Sequence, residues 1–168
     1  MPLLLKILHL PARLLYLALF LVAAGLLSFG LYLQHGLGLE PCPMCIMQRY
    51  AFATAALIGL IAAIHAPGRT GERVYAVLIG VAALTGGTIA ARQTWMQINP
   101  PLIPECGPGL EFMLESFPLA QVLPMIFRGA GDCTVIEWTF LDLSIANWSL
   151  VSFTATVLFA GWMLLRRG

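Results

Sequence analysis

Charged side chains are scarce in this 168-residue chain: they make up 10% of it, while 60% of the residues are hydrophobic. A soluble domain of this size could not cover so much apolar surface, which excludes an ordinary globular protein. The chain shows no internal repeat, no glycine-rich phosphate loop and no zinc-protease helix, and its net charge of +1 gives no indication of nucleic-acid binding. The composition predicts a protein embedded in a lipid bilayer.

Four apolar stretches have the length that a helix needs to cross the hydrocarbon core, about 20 residues. They cover residues 14–33, 46–64, 74–91 and 143–165, and only the second has a charge in its interior, Arg49. The first stretch follows two basic residues, as in a secretory signal peptide, but its uncharged run is too long for a usual signal core, so we expect it to be retained as a span. The sequence predicts one integral membrane domain over residues 1–168, an all-α bundle of four transmembrane helices.

The short basic segments predict the orientation of this bundle. Arg49, Arg92 and Arg128 lie on one side of the membrane or at its edge. The other six basic residues fall before span one, between spans two and three, or after span four: Lys6, Arg13, Arg69, Arg73, Arg166 and Arg167. By the positive-inside rule, both termini are cytoplasmic, and two outer loops at about 34–45 and 92–142 contain all four cysteines. The compartment on the outer side of the membrane permits disulfides.

The second outer loop is too short and too rich in proline to form an independent domain. Apolar residues recur at helical spacing over 110–117, which predicts a short helix lying in the membrane interface, and the apolar run 122–127 is expected to dip into the membrane in the same way. Both elements would keep Cys106 and Cys133, which belong to this loop, close to the membrane surface.

Cysteine is also scarce, and the four that are present fall into two pairs. Cys42 and Cys45 form a Cys-Pro-Met-Cys motif directly before the second apolar run, a spacing that allows a disulfide to close and reopen. We expect Cys45 to meet the positive end of the second helix, with Arg49 one turn further on the same face, and both influences favour a thiolate. An arginine inside a span is costly without a partner or a task, so Arg49 is a functional candidate, with snorkelling to the surface as the alternative.

Two structural alternatives apply to the cysteines. The four sulfurs could bind zinc, or they could form two inert disulfides. Zinc sites built from Cys-x-x-Cys usually present a second closely spaced pair, whereas Cys106 and Cys133 are far apart in the sequence, so we predict no metal site. The pattern favours a redox-active pair at a membrane surface, exchanging electrons between thiols and a molecule dissolved in the lipid.

The sequence Cys-Pro-Met-Cys-Ile-Met-Gln-Arg at 42–49, four spans, cytoplasmic termini and a cysteine pair in the second outer loop together resemble the bacterial disulfide bond formation protein B family, DsbB. The match covers nearly the whole chain. The resemblance implies an oxidoreductase of the bacterial inner membrane that reoxidises a periplasmic thiol oxidase, DsbA, and passes the electrons to a membrane quinone, either ubiquinone or menaquinone. The two outer loops would then be periplasmic.

The resemblance also implies a division of labour among the four cysteines. Cys106 would be attacked by the reduced partner, giving a mixed disulfide, and Cys133 would be its companion in the loop. Cys133 would then attack Cys42 and release Cys45, which would face the quinone and donate electrons to it. Arg49 would stabilise negative charge on Cys45 and on a quinone oxygen.

Gln93 is a further candidate quinone contact, near the outer end of the third span. At the corresponding position, some members of the family carry a histidine close to the quinone, so this chain departs from them there. A solvated or packing role for Gln93 is the alternative.

The sequence leaves three rival functions: a metal-binding or transport protein, a non-enzymatic scaffold, and a vitamin K epoxide reductase-like enzyme. In the last family, the loop cysteines precede the Cys-x-x-Cys motif, which is the reverse of the order found here.

Overall fold

The computed structural model describes residues 10–100, 115–118, 121, 124 and 133–166. Four long helices dominate this part of the chain: α1 (Ala12–Leu37), α2 (Pro43–His65), α3 (Arg69–Ile98) and α4 (Ile145–Leu165). Each is long and apolar enough to cross a membrane. Large hydrophobic side chains such as Leu21, Leu57 and Leu158 point outward, as expected where a helix faces lipid. The predicted all-α bundle of four transmembrane helices is confirmed.

Local sequence signals fix where several helices begin and end. Gly38 ends α1 in the left-handed conformation, with φ of 70°, which glycine adopts without a Cβ clash. Pro43 occupies the first helical position of α2, where its missing N–H costs no helical hydrogen bond. Ser144 caps α4, and its hydroxyl accepts from the backbone N–H of Asn147 at 3.3 Å.

Before α4, a two-stranded antiparallel hairpin joins β1 (Thr139–Phe140) to β2 (Leu143–Ser144). Its two turn residues, Leu141 and Asp142, both have positive φ, as a type I′ hairpin turn requires. The carbonyl of Phe140 accepts from the indole N–H of Trp148 at 3.0 Å. This bond ties the hairpin to the first turn of α4.

The helices differ from the predicted spans at their ends. The predicted fourth span, 143–165, is wrong at its first two residues, because Leu143 and Ser144 pair in β2 and the helix begins only after the Ser144 cap. Helical structure also covers 34–37, 43–45 and 92–98, where the sequence predicts loops because polar residues and prolines end the apolar runs. Cys106 lies outside the described residues, as do most of the predicted interfacial helix at 110–117 and of the run at 122–127.

Helix α1 packs on α2, α2 on α3, and α3 most extensively on α4. Three buried clusters follow one another along the bundle. The cluster at one end contains Cys42, Met44, Ile89, Met96 and Cys133, and we call this end the cysteine end. The middle cluster contains Phe52, Ala83, Ala90 and Phe153. At the opposite end, Leu15, Tyr16, Ala62, Ala63, Ala76, Ile79 and Met163 form the third.

Candidate active site

The Cys-x-x-Cys motif forms the start of α2. Cys42 is the N-cap residue, and its sulfur accepts from the backbone N–H of Cys45 at 3.3 Å. Because Pro43 starts the helix directly after Cys42, Cys42 is the capping residue and Cys45 lies at the positive end of the helix, where the sequence predicts it. Cys45 lies in the first turn, half-buried, and its sulfur is 2.8 Å from that of Cys42. A small movement would bring the two sulfurs to the bonding distance of about 2.05 Å.

Cys133 joins this pair from the segment that precedes β1. It is fully buried and packs in the same cluster as Cys42, and the two thiols are hydrogen-bonded to each other. Hydrogen bonds to Cys133 and to Cys45, together with burial, hold the pKa of Cys42 well above its ordinary value. Cys42 therefore favours its neutral thiol form, and three of the four cysteines meet at one place.

Gln93, from α3, lies against the two sulfurs of the motif. Its amide Nε2 is 3.3 Å from the sulfur of Cys42 and 3.3 Å from that of Cys45. Its Oε1 accepts from Nε2 of Gln48 on α2 at 2.7 Å. Both glutamine side chains are 3% exposed. The two amides thus form a buried polar link between α2 and α3, directly beside the cysteines.

Arg49 reaches across to α1. Its guanidinium donates to Oε1 of Gln34 and to the carbonyl oxygen of Gly30, the latter at 3.0 Å. A side chain that only snorkelled would extend to the surface, whereas this one is half-buried and held by two groups of a neighbouring helix. These bonds fix a positive charge one helical turn beyond Cys45.

A cavity of about 920 Å³ opens beside these residues. All four helices and the segment 135–140 line it, and α1 and α4 form two of its walls. Cys45, Arg49 and Gln93 contribute polar atoms, while much of the remaining wall is apolar: Leu26, Leu27, Phe29, Leu33, Phe52, Val135, Ile136 and Ile145. An apolar cavity with a few convergent polar groups is the usual form of a small-molecule site, and its volume falls in the usual range.

Aromatic rings surround the outer part of the cavity. Trp138 contacts Phe29 of α1 edge to face, with centroids 5.6 Å apart, and stacks on Phe140 at 6.2 Å. Two carboxylates, Glu40 and Glu137, also line the cavity and are exposed. Trp138 therefore lines the cavity, in addition to any anchoring role that a tryptophan at the membrane interface usually has.

Sequence reasoning missed the residues that hold the predicted ones in place. Gln34 and Gln48 received no role, although each is an amide within or at the edge of an apolar run. Gln48 follows Cys45 by three residues, which places it near the same helix face, and that spacing was a usable signal. Within the described residues, no group of three or more potential ligands is arranged to bind a metal ion.

The fold and site define a class: a multi-pass helical membrane protein with a closely spaced dithiol, a third cysteine and an apolar cavity at one end. Comparison with known proteins makes this more specific. Residues 12–163 match the family model described as "Disulfide bond formation protein DsbB". The chain is also 64% identical over 155 residues to the disulfide bond formation protein B of Azoarcus sp. (strain BH72), covering 92% of this chain and 93% of that protein.

Two further relatives carry the same name. The protein of Aromatoleum aromaticum is 64% identical over 155 residues, covering 92% of this chain and 93% of its own length. That of Hahella chejuensis is 51% identical over 142 residues, covering 84% and 86%. The chain belongs to the DsbB family of disulfide bond formation proteins.

Proposed function

We propose that this protein is a quinone-dependent thiol oxidase: it reoxidises a DsbA-like periplasmic dithiol protein and passes two electrons to a membrane quinone. The observation that carries the proposal is the meeting of Cys42, Cys45 and Cys133 beside an apolar cavity that also contains Arg49. The net reaction is balanced, because the partner's dithiol becomes a disulfide and the quinone becomes a quinol. The two protons and two electrons lost by the partner are gained by the quinone.

The cavity suits a quinone in size and chemistry. Its apolar walls fit an aromatic ring with a lipid-soluble tail, while Arg49 offers positive charge to a ring oxygen. The backbones of α1 and α4 make little contact, so we propose that the quinone enters between these two helices. When bound, it would supply a two-electron acceptor. Ubiquinone and menaquinone are both candidates.

The cysteines themselves would relay the electrons. Cys106 takes the attack of a partner thiolate, which gives an intermolecular disulfide and releases Cys133. Cys133 attacks Cys42, breaking the Cys42–Cys45 disulfide and releasing Cys45 as thiolate. The partner's second thiolate then releases Cys106, which attacks Cys133 and frees Cys42. The loop disulfide is restored, and the two electrons now reside on Cys42 and Cys45 as a dithiol.

Contacts in the structure support this order of attack. Cys133 already touches Cys42, so the exchange between them needs little movement. Cys45 is the sulfur that departs, and it lines the cavity together with Arg49. A fixed positive charge near the departing sulfur stabilises the negative charge that develops there. Gln93 also lines the cavity, and its predicted contact with the quinone stays a prediction; its N–H groups already donate to the two sulfurs.

The membrane setting follows the same logic. We propose that the protein resides in the bacterial inner membrane with both termini in the cytoplasm and the cysteine end facing the periplasm. Arg13, Arg69, Arg73 and Arg166 lie at the opposite end of the bundle, as the positive-inside rule requires of the cytoplasmic side. Disulfide exchange would then occur at the membrane–water interface, and the electrons would pass to the quinone within the lipid.

The proposal is tested by mixing purified protein with a reduced DsbA-like protein and a defined quinone under anaerobic conditions, while the quinone absorbance is followed. One quinone reduced per partner disulfide formed is the expected result. Cys45→Ser and Cys106→Ser variants are run alongside, and both are expected to stop the reaction. Ubiquinone and menaquinone are tried separately.

Two controls make the result decisive. The partner and quinone without the membrane protein give the uncatalysed rate, and a fully active DsbB relative shows that partner and quinones are competent. If the relative turns over and this protein reduces neither quinone, the oxidase proposal fails. If Cys106→Ser keeps full activity, the partner's point of attack is assigned wrongly.

A further inference from the structure

The paired amides of Gln48 and Gln93 form a polar link that has no place in the cysteine relay described above. Both side chains are 3% exposed, between α2 and α3 at the cysteine end. A buried amide without hydrogen-bonding partners is costly, so a pair of them is retained only where the groups are satisfied. Here the partners of Gln93 are the two sulfurs on one side and Gln48 on the other.

An amide is asymmetric, and this asymmetry determines what the sulfurs experience. The Nε2 of Gln93 carries both hydrogens and faces Cys42 and Cys45, at 3.3 Å from each sulfur. The Oε1 of Gln93 lies further away, at 3.7 Å from the sulfur of Cys45. If the amide were reversed, this oxygen would take the closer position, and an oxygen acceptor beside a thiolate is repulsive. Gln48 opposes that reversal, because its Nε2 donates to Oε1 of Gln93 at 2.7 Å.

The direct donors to these sulfurs come from few groups among the described residues. The backbone N–H of Cys45 donates to Cys42, and Gln93 donates to both sulfurs. The thiol of Cys42 lies 2.8 Å from the sulfur of Cys45 and can donate to it as well. Arg49, the nearby cation, directs its own hydrogen bonds to Gln34 and the carbonyl of Gly30 on α1. Gln93 is therefore the side chain that places N–H groups on Cys45. In a buried setting a hydrogen bond to a charged acceptor is stronger than in water.

We propose that Gln93 stabilises the thiolate of Cys45 in the reduced pair by direct hydrogen bonding, and that Gln48 is a positioning residue which fixes the orientation of the Gln93 amide. The importance of this hydrogen bonding for turnover rests on the function proposed above. The hydrogen bonding itself concerns the dithiol alone and needs neither quinone nor partner.

The test measures how fast Cys45 is alkylated in the reduced, full-length protein in detergent at neutral pH. Mass spectrometry of the Cys45 peptide reads the rate, with glutathione as the reference thiol. Because thiolates are the reactive form, Gln93→Met should slow alkylation about tenfold, as expected for losing a hydrogen bond to a charged group. Gln48→Met should slow it by a smaller factor, about threefold, since the Gln93 amide can then turn.

A double variant separates positioning from packing. If Gln48 acts through Gln93, adding Gln48→Met to Gln93→Met changes the alkylation rate no further. Thr94→Val is the matched control: it lies next to Gln93 on α3, its hydroxyl has no partner among the described residues, and the change keeps the shape. It should leave the rate unchanged.

A second measurement covers the case in which a variant packs differently. The reduction potential of the Cys42–Cys45 pair is determined against glutathione buffers, and it should become more negative in Gln93→Met, because the reduced form loses stabilisation. Unchanged alkylation and unchanged potential in Gln93→Met would overturn the proposal. A Gln48→Met effect that persists in full without Gln93 would overturn the positioning role. Both measurements use the membrane protein without quinone or partner. They therefore test the role of Gln93 even if the oxidase proposal fails.

Discussion

The two ends of the bundle are built from the same kind of helix but are packed in opposite ways. At the opposite end, Tyr16, Ala62, Ala76 and Ile79 are fully buried, and the cavity there measures only about 200 Å³. At the cysteine end, a cavity of about 920 Å³ separates α1 from α4. Buried alanines at the opposite end allow the helices to approach closely, while polar and aromatic side chains line the space between them at the cysteine end.

Polar groups are also used differently at the two ends. Tyr16 donates to the backbone carbonyl of Glu72 at 2.6 Å, a bond that joins α1 to α3 and leaves no reactive group. Gln93, Gln48 and Arg49 are bonded as well, but they surround sulfur atoms and line the cavity. The difference indicates that one end supplies stability and the other supplies chemistry, and substitutions can separate the two.

The largest expected effect belongs to Cys45→Ser. A hydroxyl cannot form or reopen a disulfide, so quinone reduction should fall by more than about a thousandfold, as when a nucleophile is removed from an enzyme. The midpoint of thermal unfolding in detergent should change little, because serine is similar in size and Cys45 is half-buried. An equal loss of stability and activity would contradict the separation of the two ends.

Gly86→Ala should cost the most stability. A Cβ at this position would overlap Cζ of Phe153 and would lie 2.8 Å from Cβ of Ala51. Phe153 is buried and stacked on Phe52, so its ring cannot turn away without losing that stacking. We expect a loss of about 2–3 kcal/mol in the free energy of unfolding, the usual cost of overpacking.

Gly25→Ala is the matched control for this change, because nothing lies within 4 Å of the added Cβ. It should leave stability equal or slightly higher, since alanine is the better helix former. Equal stability of both variants, measured by thermal unfolding in the same detergent, would show that α3 and α4 pack less tightly in the middle of the bundle than described.

Arg49→Lys keeps the positive charge but loses the planar group that bonds Gln34 and Gly30 together. The lysine ammonium cannot reproduce both contacts from the same position. We expect kcat/KM for quinone to fall about tenfold, as for loss of one well-placed stabilising group. Steady-state kinetics at varied quinone concentration measure this, and Gln34→Leu should give a smaller decrease in the same direction. If Arg49→Lys has the same kinetics as the wild-type protein, the proposed role of Arg49 in the site is contradicted.

Tyr16→Phe should give the smallest effect. It removes the bond to the Glu72 carbonyl without changing the shape of the side chain, so unfolding should become about 1 kcal/mol easier. Quinone reduction by the folded protein should be unchanged. Loss of turnover without loss of stability would mean that the opposite end is coupled to the site.

The sequence was sufficient for the spans because long apolar runs have few other uses in a protein. It also indicated the Cys42–Cys45 pair, since the apolar run that follows the motif places it near a helix start. The ends of the helices were harder to predict. Prolines and polar residues end the apolar run before the backbone stops being helical, as at 92–98. Leu143 was misassigned because its apolar side chain suits a strand as well as a span.

The arrangement around the sulfurs could not be derived from the sequence in the same way. The contact between Cys133 and Cys42, and the link from Gln93 to Gln48, join residues that are distant in the chain. The second contact depends on how α3 is rotated against α2, which an almost uniformly apolar helix surface does not reveal. The polar residues within the spans or next to them were a usable signal, because a polar side chain in the lipid needs a hydrogen-bonding partner.

The most direct test of this account is whether Cys42 and Cys133 can bond to each other. In a full-length variant with Cys45→Ser and Cys106→Ser, each of the two remaining cysteines lacks its usual partner. Mild oxidation in detergent, followed by mass spectrometry of the digested protein, should find a Cys42–Cys133 disulfide in most of the molecules, because the two thiols are already in contact. If both cysteines instead remain open to alkylation, the proposed exchange between them is contradicted.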